Sequence, residues 1–181
     1  MRIRKASPAE ARRQADWIAA SEPWRGLGYE AETLGRWLAR VARQGRVRAA
    51  VAEGAVAGVM VLQPEFLLGP FIALLAVRPE AAGQGIGRAL VAAGERAAPG
   101  RWLYTSSDAS NRAAARFYAR LGFTRVGRLP GLIRPGRTEI LWRKGVGGTL
   151  ITSSAGGDAG ARSVARARGR GVRAGRRRAG R

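Results

Sequence analysis

Three glycines at alternate positions, Gly83, Gly85 and Gly87, stand between an apolar run, Phe71 to Val77, and a stretch in which Ile86, Leu90 and Ala93 recur at helical spacing. That order suits the capture of an anion. Glycines ahead of a helix let backbone N–H groups reach phosphate oxygens, and the helix dipole favours the negative charge there. The apolar run has the pattern of a strand covered on both faces, and Pro79 ends it by lacking a donor and by biasing Arg78 toward extended geometry. Gly83, Gln84, Gly85, Ile86, Gly87 and Arg88 are the residues expected to wrap a pyrophosphate.

Spacing discriminates among phosphate loops. A nucleoside-triphosphate loop needs Lys-Ser/Thr after its last glycine, and Arg88-Ala89 follows Gly87. A dinucleotide loop needs a third glycine at residue 88 or 90, which are Arg and Leu, and a tighter turn from the strand than Val77 to Gly83 allows. An acid at Asp108, roughly 20 residues downstream, would otherwise fit the dinucleotide pattern.

A second constellation follows in Asn111 to Leu121, where Ala114, Phe117, Tyr118 and Leu121 make one apolar helical face. Arg112, Arg116 and Arg120 form a separate basic stripe. Gly122 is the expected left-handed cap, and Ser110 or Asp108 the expected N-cap. The glycine loop followed by this Asn, Phe-Tyr, Leu-Gly-Phe series resembles the GCN5-related N-acetyltransferase (GNAT) superfamily over residues 1–144. That family's loop reads Arg/Gln-x-x-Gly-x-Gly/Ala. Gly85 and Gly87 match its two glycines, whereas its first position falls on Ala82, with Gln84 out of register.

The resemblance implies an N-acetyltransferase that moves the acetyl group of acetyl-CoA directly onto a primary amine of a small molecule or peptide. It also implies a three-layer α/β fold, with a central mixed, mostly antiparallel sheet flanked by helices. Tyr118 would supply or share a proton with the departing thiolate; its alternative is to complete the core face begun by Phe117. Asn111 would bond the pantetheine arm, or simply start the helix. Backbone N–H groups near Ala76 and Val77 would meet the oxyanion. The loop SEPWRGLGY and the turn LPGLIRPGR would flank the acceptor, with Trp24, Leu27 and Tyr29 as a wall and Glu22 attracting an amine, unless these residues pack the first helices.

Composition narrows the chemistry further. The chain has no histidine and no cysteine, which removes His-assisted serine or cysteine nucleophiles and metal sites built on imidazole or thiolate. No metal is expected. The candidate bases are Glu22, Glu30, Glu65, Asp108 and Glu139; Glu139, on an alternating strand and expected on the side of Leu141, is the first to test.

These groups need positioning, and the element order supplies it. Strands are expected at Arg2–Ala6, Val47–Glu53, Ala55–Leu62, Phe71–Val77, Trp102–Ser106, Phe123–Leu129 and Thr138–Arg143, with helices at Pro8–Ala20, Ala31–Arg43, after the glycine loop, and at 111–121. Mixed in that order, they make one α/β domain. Residues 145–181 are rich in Gly, Ala, Ser and Arg without apolar periodicity, the composition of disorder. Net charge is +21. An Arg-rich tail can contact nucleic acid nonspecifically, and a noncatalytic protein acting through it is the alternative reading; a role-free extension in a Gly/Ala/Arg-biased sequence is the plainer one. No apolar core follows Arg2, Arg4 and Lys5, and no run approaches the ~20 residues that span a bilayer, so the expected location is cytoplasmic, without membrane contact. The remaining partner expectation is a homodimer.

Overall fold

The computed structural model describes residues 1–98 and 102–146. Apart from Gly145 and Val146, the expectation of a disordered tail falls outside them. The strands β1 (Arg2–Lys5), β2 (Val47–Ala52), β3 (Ala55–Phe66), β4 (Gly69–Val77), β5 (Trp102–Asp108), β6 (Thr124–Pro130) and β7 (Thr138–Gly145) form a sheet in the order β1-β2-β3-β4-β5-β7-β6. All neighbours are antiparallel except β4 and β5, which run parallel.

Helices cover both faces, giving the expected three layers. On one face lie α1 (Pro8–Arg12), α2 (Ala15–Ala20) and α3 (Ala31–Arg43), where Ile18, Leu34 and Leu38 pack on Val47, Val59, Val61 and Leu74. On the other lie α4 (Ile86–Arg96) and α5 (Arg112–Arg120), where Ile86, Leu90 and Tyr118 pack with Met60, Leu103, Ile140 and Trp142. Burial of these side chains is the main favourable term, at about 1.5–3 kcal/mol for each large one.

Two sequence expectations are corrected. The helix expected over Pro8–Ala20 breaks at Arg13-Gln14. Gln14 is buried and its side chain is fully engaged, donating to the Glu10 carbonyl (3.0 Å) and accepting from Trp17 Nε1 (3.0 Å) and Arg78 (3.4 Å). Second, β4 is not covered on both faces along its length. Ala73 is exposed and Leu75 and Val77 are half-buried, because the strand loses its β5 neighbour halfway along.

Candidate active site

The site begins where the sheet forks. β4 and β5 pair only through Phe71–Tyr104 and Ile72–Thr105; beyond that point they separate. The register of β3 against β4 also slips there, Val61 facing Leu74 and Leu62 facing Ile72, so Ala73 is an extra, unpaired residue. Such a bulge bends one strand away from its neighbour. The Arg78 N–H donates to the Ala57 carbonyl (2.9 Å), and this bond with the pairing of Ala76 to Val59 fixes the phase of the ladder. Ala76 therefore spends its N–H on β3, whereas the N–H groups of Leu75 and Val77 point into the fork. Of the expected pair Ala76 and Val77, only Val77 has its N–H directed into the fork, alongside that of Leu75.

At the carboxyl end of β4, a 3-10 turn (Pro79–Ala81) leads into the glycine loop. Gly83 and Gly85 have φ of +80° and +77°, a region that other residues enter at a cost of roughly 1–3 kcal/mol. A Cβ at either would meet nothing within 4 Å: the requirement is backbone direction, and the space beside the loop is open. Gly85 is the N-cap of α4 and supplies no side-chain cap, so the first N–H groups of the helix, those of Ile86, Gly87 and Arg88, are free for an anion. Gly87 is glycine for a different reason. A Cβ there would lie 3.1 Å from Phe117 Cζ, so α4 starts directly against α5. Ala82, Gln84 and Arg88 are exposed on the same surface. Pyrophosphate and pantetheine fit this surface, the first on the loop amides and the second along the open edge of β4.

Helix α5 carries Tyr118 into the fork. Its ring is buried among Phe117, Phe123 and Trp142, with ring centroids 5.2, 5.4 and 6.1 Å away. Its hydroxyl stands 3.4 Å from Thr105 Oγ1, which donates to the Ile72 carbonyl (3.2 Å). The phenol is thus held at the last residue pair before the strands separate. Burial first, and then the negative charge of Glu139, raise its pKa against the lowering effect of the Thr105 hydrogen bond, so it remains O–H at neutral pH. Asn111, rather than Ser110 or Asp108, is the N-cap of α5: its Oδ1 accepts from the Ala114 N–H (2.9 Å), leaving the amide N–H groups for other partners. Asp108 instead accepts from the Ser110 N–H (2.8 Å) and from the Ser110 hydroxyl (2.5 Å). Gly122 caps the C-terminus at φ +84° as expected.

Glu139 reaches the same space from β7. It sits opposite Asp108 on β5 and is only 5 % exposed, and burial raises its carboxyl pKa despite a hydrogen bond from Ser106. Its face is that of Asp108. Leu141, two residues along the same uninterrupted pairing, shares that face and lies beside Gly127 of β6, whereas Ile140 and Trp142 occupy the opposite face. Burial also acts on Asp108, but hydrogen bonds from Arg137 (2.7 Å) and Ser110 outweigh it and hold that carboxyl below its usual range. Two carboxylates facing each other are thereby driven apart, one ionised and bound to a cation, the other more basic and free of any ion pair among the described residues.

One cavity of about 120 Å³ brings together Tyr118, Glu139, Asn111, Thr105 and the bulged Ala73 with Trp24, Leu27 and Tyr29. The two loops expected to flank the acceptor meet over it, as Arg134 donates to the Gly26 carbonyl (3.3 Å). Among the remaining candidate bases, Glu22 is engaged with Arg25 (3.0 Å) and the Gly26 N–H (3.2 Å). Glu65 lies outside the cavity, and Glu30 lines the groove beyond it. No group of three metal-ligating side chains occurs among the described residues, and none of their helices is long and apolar enough to cross a membrane.

Residues 43–125 match the family profile of the acetyltransferase (GNAT) domain. Over those residues the chain carries a GNAT acetyltransferase domain. Solved structures agree with the fold. An acetyltransferase of the GNAT family from Bacillus cereus superposes with a TM-score of 0.67 at 17% identity, covering 80% of this chain and 96% of its own. A ribosomal-protein-alanine N-acetyltransferase from Brucella melitensis gives 0.61 at 23% identity, covering 80% and 99%. An aminoglycoside 6'-N-acetyltransferase complexed with coenzyme A gives 0.66 at 18%, covering 82% and 98%. No curated protein sequence matches.

Three features of this GNAT domain escape the sequence. The bulge at Ala73 depends on register between strands, which no residue type announces. Thr105 is an ordinary strand residue until Tyr118 is folded against it. The outer wall of the groove beyond the cavity comes partly from α3, through Thr33, Arg36, Trp37 and Arg40; Trp37, at the margin of the apolar stripe Leu34, Leu38 and Val41, is the one signal that was available.

Proposed function

We propose that the protein is an N-acetyltransferase that moves the acetyl group of acetyl-CoA directly to a primary amine. The observation that carries this reading is the convergence of the Tyr118 hydroxyl, the Glu139 carboxyl and the open edge of β4 on one cavity, with the glycine loop following that same strand. Bound acetyl-CoA supplies a thioester, activated toward attack by an amine.

The chain's own groups do the rest. Gly83, Gln84, Gly85, Ile86, Gly87 and Arg88 hold the pyrophosphate, mainly through backbone N–H groups, and the free amide of Asn111 meets the pantetheine arm. The N–H groups of Leu75 and Val77 stabilise negative charge as it develops on the thioester oxygen. Glu139 takes a proton from the acceptor ammonium, a task suited to a carboxylate whose basicity burial has raised. Tyr118, kept protonated, shares its proton with sulfur as the C–S bond breaks.

Thiol release with acetyl-CoA and a panel of amines, followed against pH, tests this assignment. Wild-type kcat/KM should rise with pH through an ionisation above the ordinary carboxylate range. In Glu139→Gln that limb should disappear and the rate fall by about a hundredfold. A variant with wild-type rate and profile would remove Glu139 from the mechanism.

A further inference from the structure

The cavity that holds Tyr118 and Glu139 opens across Trp24, Leu27, Tyr29 and Ile133 into a groove of about 880 Å³. The groove runs on past Trp37 and Arg40 to a recess bounded by Gln44, Arg46 and Gln63. Charge changes sign along this path. The inner end is lined by the carboxyls of Asp108 and Glu139; among the described residues Asp108 is ion-paired, with Arg137, and Glu139 is not. The middle is mainly apolar, with Leu132 and Ile133 exposed on its wall and Glu30 and Thr33 as its polar members. The outer end holds Arg36, Arg40 and Arg46. Arg36 is shared with Glu32 (2.8 Å), while Arg40 and Arg46 make no ion pair among the described residues.

Such a path selects a ligand with an ammonium at one end, an apolar portion next to it and anionic groups beyond. Helix α3 forms the wall from Thr33 to Arg40. At 1.5 Å per residue that is about 10 Å, or about three residues of extended chain. Resting on the amine-transfer reading above, we infer that the acceptor is the amino terminus of a peptide or protein with an apolar first side chain and Asp or Glu about three residues further on. A polycationic acceptor would bring further ammonium groups beside Arg36 and Arg40, in a chain whose net charge is already +21, and would be repelled.

Two synthetic peptides test this, both beginning with leucine and identical except for glutamate or lysine at the third and fourth positions. Binding to the full chain is followed by calorimetry, and acetyl transfer from acetyl-CoA by thiol release. The glutamate peptide should be favoured about fivefold or more in both Kd and kcat/KM. The preference should shrink in high salt, diminish in Arg40→Gln and reverse in the double variant Arg36→Glu, Arg40→Glu. Equal use of both peptides, or an unchanged preference in Arg40→Gln, would overturn the acceptor assignment and leave amine transfer standing. Preferential binding of the glutamate peptide with no acetylation of either would overturn the acceptor assignment together with the transfer reading, while no binding of either would remove the groove as a peptide site.

Discussion

In the proposed reaction, the donor and acceptor sides of the cleft are built from different materials. On the donor side the contacts come from backbone: two glycines at positive φ, the uncapped start of α4 and the exposed edge of β4. On the acceptor side they come from side chains: Trp24, Leu27, Tyr29, Ile133 and the charges of Glu139, Arg36 and Arg40. Backbone contacts depend on shape alone, so one family loop can tolerate Ala82 where arginine or glutamine is usual. Side-chain contacts read chemistry, and specificity must reside there. Tyr118 and Thr105 stand between the two, at the apex of the fork.

The largest expected effect falls at that boundary. Tyr118→Phe keeps the packing against Phe123 and Trp142 but removes the proton, so kcat should drop about a hundredfold or more with little change in acetyl-CoA affinity; calorimetry beside turnover separates the two. Gly85→Val attacks the donor side through backbone conformation. Strain of roughly 1–3 kcal/mol at φ +77° predicts a rise of about ten- to a hundredfold in the acetyl-CoA Kd, with affinity for acceptor peptides retained. Loss of both together would mean that the two sides are not separable.

A smaller effect concerns stability, and its sign follows from burial. The Glu139 pKa is raised on folding, so between the ordinary carboxylate pKa and the raised one the native state binds more protons than the unfolded chain. Stability therefore falls as pH rises through that window. Glu139→Gln abolishes this loss, and its melting temperature at neutral pH should exceed that of the wild type by about 2–4 °C, with the gain vanishing in acid. Asp108 is the opposite case. Its lowered pKa contributes stability above the ordinary carboxylate range that is lost as pH falls. The smallest effect is expected at Ala82. Restoring glutamine there adds one exposed side chain to a backbone cradle and should change acetyl-CoA affinity by at most about threefold.

The same contrast explains what could be read from sequence. Glycines in fixed order and an apolar stripe at helical spacing are local, and the glycine loop before α4, α3 at Ala31–Arg43, and the face of α5 that presents Tyr118 were all legible. The fork was not, because it arises from a register slip at Ala73 between stretches, 59–62 and 72–76, whose side chains are all apolar. The cap of α5 was misassigned because Asp108, Ser110 and Asn111 can all cap, and the choice fell to whichever was left once Asp108 had bonded Arg137. Arg36 and Arg40 carry no signal of their own in the sequence, because the groove they line forms only when Leu132 and Ile133 are folded into it.

The central claim is that this cleft is built for an acyl-coenzyme A, and calorimetric titration of acetyl-CoA into the full-length protein, with NADH as the control, tests it most directly. Saturable binding of acetyl-CoA with one site per chain, weakened in Gly85→Val and absent for NADH, is the predicted result. Failure to bind acetyl-CoA, or equal binding of NADH, would contradict it.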